Sequence, residues 1–476
     1  MRRLLLIWWI LMLSLKLAGQ SRSFEINTDT LGAFYGFAVL ECTDKSLVLA
    51  GGSYSSLSAQ DCFICRFDSL GHPLWADTLT SLASDGITAM TLLNDSVIVV
   101  CALWNFITTT DNDLRLIWFD LQGNIIHSAI SNVGAGGSQC RRLIRASNGD
   151  LIMTGYAVDA SMTLPATIFA RRLDPAGNVR WTQSWGSGYG MDANAITETL
   201  DGGFVIAGNG IFDTTGIPVQ YILKCSGSGD SLWCRTWGQS EYSNATAIVQ
   251  SSDGSLFVGS NGYYTGLSYQ IETTKLDSSG QVIWNKVMGD QRENIVKDIA
   301  LVNDSEVAII GTYADPDSAY QVFFARLSSN GDSVWVATHG GLGSEDIHHG
   351  ILSEDGGYVA VGGTSSFGSS YMAYIIKTDP NGVLTGEQSF ISPPGAFLIY
   401  PNPASESFRI LLPPTQINTA CKLKIMNSLG VTVHYVTLPP GSCPKVDCSD
   451  LPPGWYTVVV EGKDAYIASQ RLVVVR

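Results

Sequence analysis

Beyond its first twenty residues the chain alternates apolar runs of four to seven residues, rich in Val, Ile, Tyr and Trp, with short clusters of Gly, Asp, Ser and Asn. Such punctuation predicts β-strands joined by tight turns, and no stretch of useful length offers a competing helical period. Two motifs organise the pattern. In the first, a DGG-like turn leads into an apolar strand: TLDGGFVIAG ends at Gly208, SEDGGYVAVG at Gly362, VNDSEVAIIG at Gly311 and SNGDLIMTG at Gly155. Related copies end at Gly51, Cys101 and Ser260. The second, KLDSSGQVIW, ends at Trp284 and recurs with Trp75, Trp181, Trp233 and Trp335; two weaker copies place His127 and Gly386 there.

The turn glycines of the second motif are Gly71, Gly123, Gly177, Gly229, Gly280, Gly331 and Gly382, spaced by 51 to 54 residues. A steady period with seven copies of each motif, in alternation, means one supersecondary unit repeated seven times. Residues 194–237 give a full unit: NAITETL, the DGG turn, FVIAG, QYILKC, the SGSGD turn and SLWCRTW. The Asp-x-x-Gly turns place a short acceptor first and a residue tolerant of positive φ last. Lys or Arg stands two before the acceptor in six copies, with Trp118 the exception.

Four antiparallel strands repeated seven times predict an all-β, seven-bladed β-propeller over residues 21–390, each blade's faces buried by its neighbours. Gly71, Trp75, Gly177, Trp181, Gly229, Trp233, Gly280, Trp284, Gly331 and Trp335 are then structural repeat residues, the Trp rings packing between blades. The stretch SFEINTDTL (23–31) sits where the other units carry a fourth strand and is placed to complete the last blade. The consensus resembles the propeller repeats of surface proteins from Bacteroidetes-type bacteria. It fits poorly to sialidase Asp-boxes, to WD40 repeats and to quinoprotein propellers.

The ends differ from the repeat. MRRLLLIWWILMLSLKLAGQ, residues 1–20, has the Arg pair, apolar run and small residues of a secretory signal peptide. No later segment reaches the ~20 apolar residues of a spanning helix. After the Pro-rich linker 391–396, residues 397–476 carry several short apolar strands with Pro/Gly turns, enough for a small Ig-like β-sandwich. Pro401-Asn402-Pro403, the Asn427-Ser428-Leu429-Gly430 turn, Leu451 with Gly454 and Tyr456, and the final QRLVVVR resemble, in that order, the type IX secretion system C-terminal sorting domain (type A). The resemblance implies the type IX secretion machinery as a partner, with export through the periplasm and outer membrane to the cell surface or the medium.

Formal net charge is −15, or −18 without residues 1–20, and such a surface repels nucleic acid. Ten cysteines in an exported chain permit disulfides whose pairing the sequence leaves open. Simple hairpin register sets Cys225 opposite Asp230 and Cys234 near Tyr221, and Cys62 and Cys65 point to opposite faces. No metalloprotease, phosphate-loop or nucleophile-elbow motif occurs. The pair His348-His349 reads as a polar loop entering a strand, in preference to a metal site. Asp111/Asp113 and Asp315/Asp317 read as turn acids before calcium ligands. No cofactor or metal is expected. The function expected is a non-enzymatic binding module for an extracellular glycan or protein; the alternative is a secreted polysaccharide- or peptide-degrading enzyme with its site in the channel.

Overall fold

The structure is a computed structural model. It describes residues 23–474 apart from 28–32, 55–59, 80–85, 105–112, 135–136, 159–166, 187–190, 213–215, 239, 290–291, 316–318, 367–370, 385–397, 401–403, 405, 412–420, 428–430, 439–444 and 462–465. Seven four-stranded antiparallel sheets follow one another. Blade 1 consists of Ala33–Glu41, Leu47–Tyr54, Gln60–Phe67 and Pro73–Leu79. The first strands of the later blades are Gly86–Asn94, Ser138–Arg145, Asp192–Glu198, Tyr242–Gln250, Asn294–Asn303 and Glu345–Leu352. Each first strand touches the first strands of both neighbouring blades, and Ala33–Glu41 meets Glu345–Leu352, so the ring closes. The molecule is a seven-bladed β-propeller followed by a small β-sandwich.

Blade 7 takes its outer strand from the other end of the chain. Phe24–Asn27 pairs antiparallel with Met372–Lys377, Phe24 opposite Lys377 and Asn27 opposite Tyr374. Phe24 is buried with Val359, Val361, Phe63 and Leu49 in the core between blades 7 and 1. One such apolar core fills each of the seven interfaces between blades. Alternate residues of a strand serve different cores: Leu49 faces blade 7, and Val48 and Ala50 face blade 2. Burial on both faces explains why second strands such as FVIAG read as continuous apolar runs.

The two repeat motifs are physically joined. Within a blade, the basic residue of the second motif reaches the acid of the first: Arg66–Asp44 at 2.5 Å, Arg172–Asp150 at 2.7 Å, Lys224–Asp201 at 2.7 Å, Arg326–Glu306, and Lys377–Asp355 at 3.1 Å. Lys275 lies 5.0 Å over the Phe257 ring. Between blades, the Trp of one unit covers the turn glycine of the next. Trp75, Trp181 and Trp284 donate their indole N–H to Leu121, Gly227 and Ser329 carbonyls at 2.9, 3.2 and 2.9 Å. The turn glycines hold φ from 74° to 89°. Added Cβ atoms at Gly280 or Gly331 would stand 2.7 or 2.9 Å from the Trp233 or Trp284 ring.

Blade 2 departs from the consensus and keeps the contact. Trp118 replaces the basic residue on its third strand and donates to the Pro175 carbonyl at 3.0 Å, beside Gly177. His127, in the usual Trp place, packs against Trp118 with ring centroids 4.7 Å apart and planes tilted by 52°.

Two registers differ from the simple reading. Paired with Ala89, Cys101 falls one position short of the second-strand glycine; Ala102 is the residue that takes the place of Gly51, Gly208 and Gly311. A bulge after Lys224 sets Cys225 opposite Ser231 and Cys234 opposite Leu223, because the turn hydrogen bond closes from Ser226 N–H to Asp230. Cys62 and Cys65 do face opposite ways, into the cores toward blades 2 and 7.

The C-terminal sandwich packs Leu398–Tyr400, Ser407–Leu411 and Lys445–Asp447 against Cys421–Met426, Thr432–Leu438, Gly454–Glu461 and Tyr466–Val474. Phe408, Ile410, Leu423, Ile425, Val458, Val460 and Leu472 form its core.

Candidate central binding cavity

Every first strand slips register by one residue at the same place, a β-bulge. The residues skipped are Phe37, Thr88, Arg141, Asn194, Thr246, Lys297 and His348, one per blade. All seven line a single cavity of about 540 Å³ on the ring axis. A bulge re-aims a side chain that would otherwise enter a core between blades. The cavity is lined largely by the first halves of these strands. It therefore lies toward the face carrying the connections between second and third strands. Those connections run from 265–267 in blade 5 to 158–166 in blade 3. The uniform Asp-x-x-Gly turns occupy the opposite face.

Three polar residues of this ring are each held by the next blade. Arg141 donates to both carboxylate oxygens of Asp192, at 3.3 and 2.9 Å. Asn194 Nδ2 donates to Asn244 Oδ1 at 2.7 Å and to the Ala245 carbonyl at 3.0 Å. Lys297 Nζ is 3.3 Å from Asp346 Oδ1. Blades 7 and 1 supply aromatic rings instead: Tyr35 stacks on Tyr371 at 4.8 Å, and Phe37 lies 5.0 Å from His348.

One residue further along, a bolt crosses the ring. Arg142 of blade 3 pairs with Asp298 of blade 6, whose second oxygen accepts the Gly350 N–H at 2.9 Å. His349 Nδ1 accepts the Val39 N–H at 3.2 Å, which leaves the proton on Nε2, 3.9 Å from Asp298 Oδ2. Burial pushes both His348 and His349 down to about 4, so both are neutral near pH 7. The loop reading of this pair is thus corrected. Both lie in Glu345–Leu352, and the bulge between Ile347 and His349 turns both toward the cavity.

The residues singled out in the sequence lie elsewhere. The turn glycines and their Trp partners sit at the opposite face, away from the cavity. Leu451 and Tyr456 are buried in the sandwich, Tyr456 donating to the Pro452 carbonyl at 2.7 Å, and Gly454 opens a strand opposite Val474. Pro401, Asn402, Pro403 and Gly430 lie outside the described residues, as do Asp111 and Asp317. Asp113 begins a third strand and Asp315 follows a second. Among the described residues no three His, Cys, Asp or Glu side chains converge as a metal site. The bulge ring went unread, though its members are 51 to 53 residues apart. The signal was a position with the period of the repeat and a different chemistry in every copy.

No curated protein matches the chain. Solved structures similar to it include Sqt1 from Chaetomium thermophilum, with 10% identity over 76% of this chain and 100% of that one, TM-score 0.46. Drosophila Semaphorin 2a shows 7% identity over 95% and 98%, TM-score 0.47. The periplasmic gluconolactonase of Pseudomonas aeruginosa shows 9% identity over 93% and 100%, TM-score 0.44. Residues 398–475 match the family described as secretion system C-terminal sorting domain. That C-terminal segment belongs to the type IX sorting domains, and the protein is a β-propeller exported through the outer membrane to the cell surface or the medium.

Proposed function

We propose that the protein is a non-enzymatic binding module whose ligand enters the central cavity at the bulge ring. Residues 1–20 act as the signal peptide, 21–390 form the binding propeller, and 391–396 link it to the sorting domain 397–476. In that domain Pro401, Asn402, Pro403, Gly430, Leu451, Gly454 and Tyr456 make up the sorting motif. The observation carrying the binding reading is that the charged ring residues are mutually neutralised: Arg141 with Asp192, Lys297 with Asp346, Arg142 with Asp298. Charged groups locked in pairs are fixed in place and orient a ligand at little ordering cost.

A second reading, a secreted polysaccharide- or peptide-degrading enzyme, draws on one observation. His349 carries its proton on Nε2, 3.9 Å from Asp298 Oδ2 and beside the cavity, a histidine–carboxylate pair of the kind that proton transfer draws on. One experiment separates the two: thermal unfolding of the mature chain with polysaccharides and peptides, each also assayed for breakdown. A raised melting temperature with no breakdown is the expected result. Breakdown that disappears in His349→Gln would make the protein an enzyme.

A further inference from the structure

We infer that the cavity takes a neutral, polyhydroxylated ligand, a short carbohydrate chain, held between an aromatic wall and a polar wall. The inference rests on the binding reading above and narrows it. Phe37 carries the first half of the argument. It is large, apolar and only half-buried, and its bulge sends it to the cavity instead of the neighbouring core. Its ring runs nearly parallel to Tyr35, 13° apart at 6.3 Å, and Tyr35 continues onto Tyr371. Of these rings Phe37 lines the cavity together with His348, 5.0 Å away, while Tyr35 and Tyr371 back it from outside the lining; a ring so placed suits the C–H face of a pyranose.

The opposite side, blades 3 to 5, is planar and polar. Asn194 and Asn244 are joined amide to amide, and the Arg141 guanidinium is held by Asp192. Such fixed planar groups direct donors and acceptors at vicinal hydroxyls with little ordering cost.

Charge and size exclude the competitors. A charged ligand would be desolvated in a ring whose ionic groups are already paired, and a net charge of −15 adds repulsion for anions. A folded protein partner needs roughly 800 Å² of its own surface to be covered. A cavity of about 540 Å³ has instead the volume of a small-ligand site.

The test is calorimetric titration of the full mature chain with neutral gluco-, manno-, galacto- and xylo-oligosaccharides, their uronic-acid counterparts, and short peptides. At least one neutral oligosaccharide should bind. Phe37→Ala should weaken it about tenfold or more, Phe37→Tyr should restore it, and Asn194→Ala should weaken it independently from the other wall. Should Phe37→Ala fail to fold, Asn194→Ala and Phe37→Tyr still report. Tighter binding of the uronic series, or oligosaccharide binding indifferent to both walls, overturns the inference. Phe37-dependent binding of peptides alone would leave the binding module standing and remove its carbohydrate ligand. Binding by no member of the panel would remove both.

Discussion

Gly331 and Gly202 both sit at strongly positive φ, 78° and 75°, but their surroundings differ. A Cβ at Gly331 meets the Trp284 ring at 2.9 Å, whereas a Cβ at Gly202 meets nothing within 4 Å. Gly202→Ala should therefore cost only backbone strain, about 1 kcal/mol, and Gly331→Ala about 2–3 kcal/mol, read by chemical denaturation. Equal costs would mean that the Trp–Gly contact between blades adds nothing. The histidines give a second prediction at this scale. Both are held neutral in the fold, with values lowered from 6.5 to about 4. Between those values the unfolded chain binds protons that the fold refuses. Their stabilisation is complete above about pH 6.5 and falls away toward pH 4, on the order of 3 kcal/mol each. Buried Glu25 and Glu345, raised chiefly by desolvation, act in the opposite sense and favour the fold at acid pH. His349→Gln should flatten the loss of stability between pH 7 and 4.5, and an unchanged slope would remove His349 from that account. The turn glycines and Trp residues were legible because a tight turn and a blade contact demand the same chemistry in every copy. The histidine environment was not, because it depends on Asp298 and Arg142 from other blades.

At the scale of elements, the strand Phe24–Asn27 closes the ring through backbone pairing and the burial of Phe24. Phe24→Ala should cost about 3–4 kcal/mol and speed amide exchange along Met372–Lys377 more than in blade 4. Uniform exchange would show that closure does not rest on this strand. Strand count, order and closure were readable from the period, since burial on both faces writes each second and third strand as an apolar run. The bulges were not. A bulge requires one extra residue and no particular side chain, so seven of them left no common letter in the sequence. The same gap misplaced His348 and His349 as a loop and set Cys234 near Tyr221 instead of opposite Leu223.

The whole molecule separates its roles by face and by domain. Constant turns and inter-blade contacts occupy one face, while the cavity lies toward the face whose connections differ from blade to blade. The sandwich has its own core and shares none of the seven blade cores. Removal of residues 397–476 should leave the melting transition of the propeller intact and strand it in the periplasm, as fractionation would show; propeller still reaching the surface would contradict the export role. The claim that most needs testing is the location of binding. Hydrogen–deuterium exchange of the mature protein with and without the neutral oligosaccharides measures it directly. Protection should fall on the starts of the first strands, around Phe37, Arg141, Asn194 and His348, and on the connections beside them. Protection on the Asp-x-x-Gly turns or within the sandwich would place the ligand elsewhere and contradict the account.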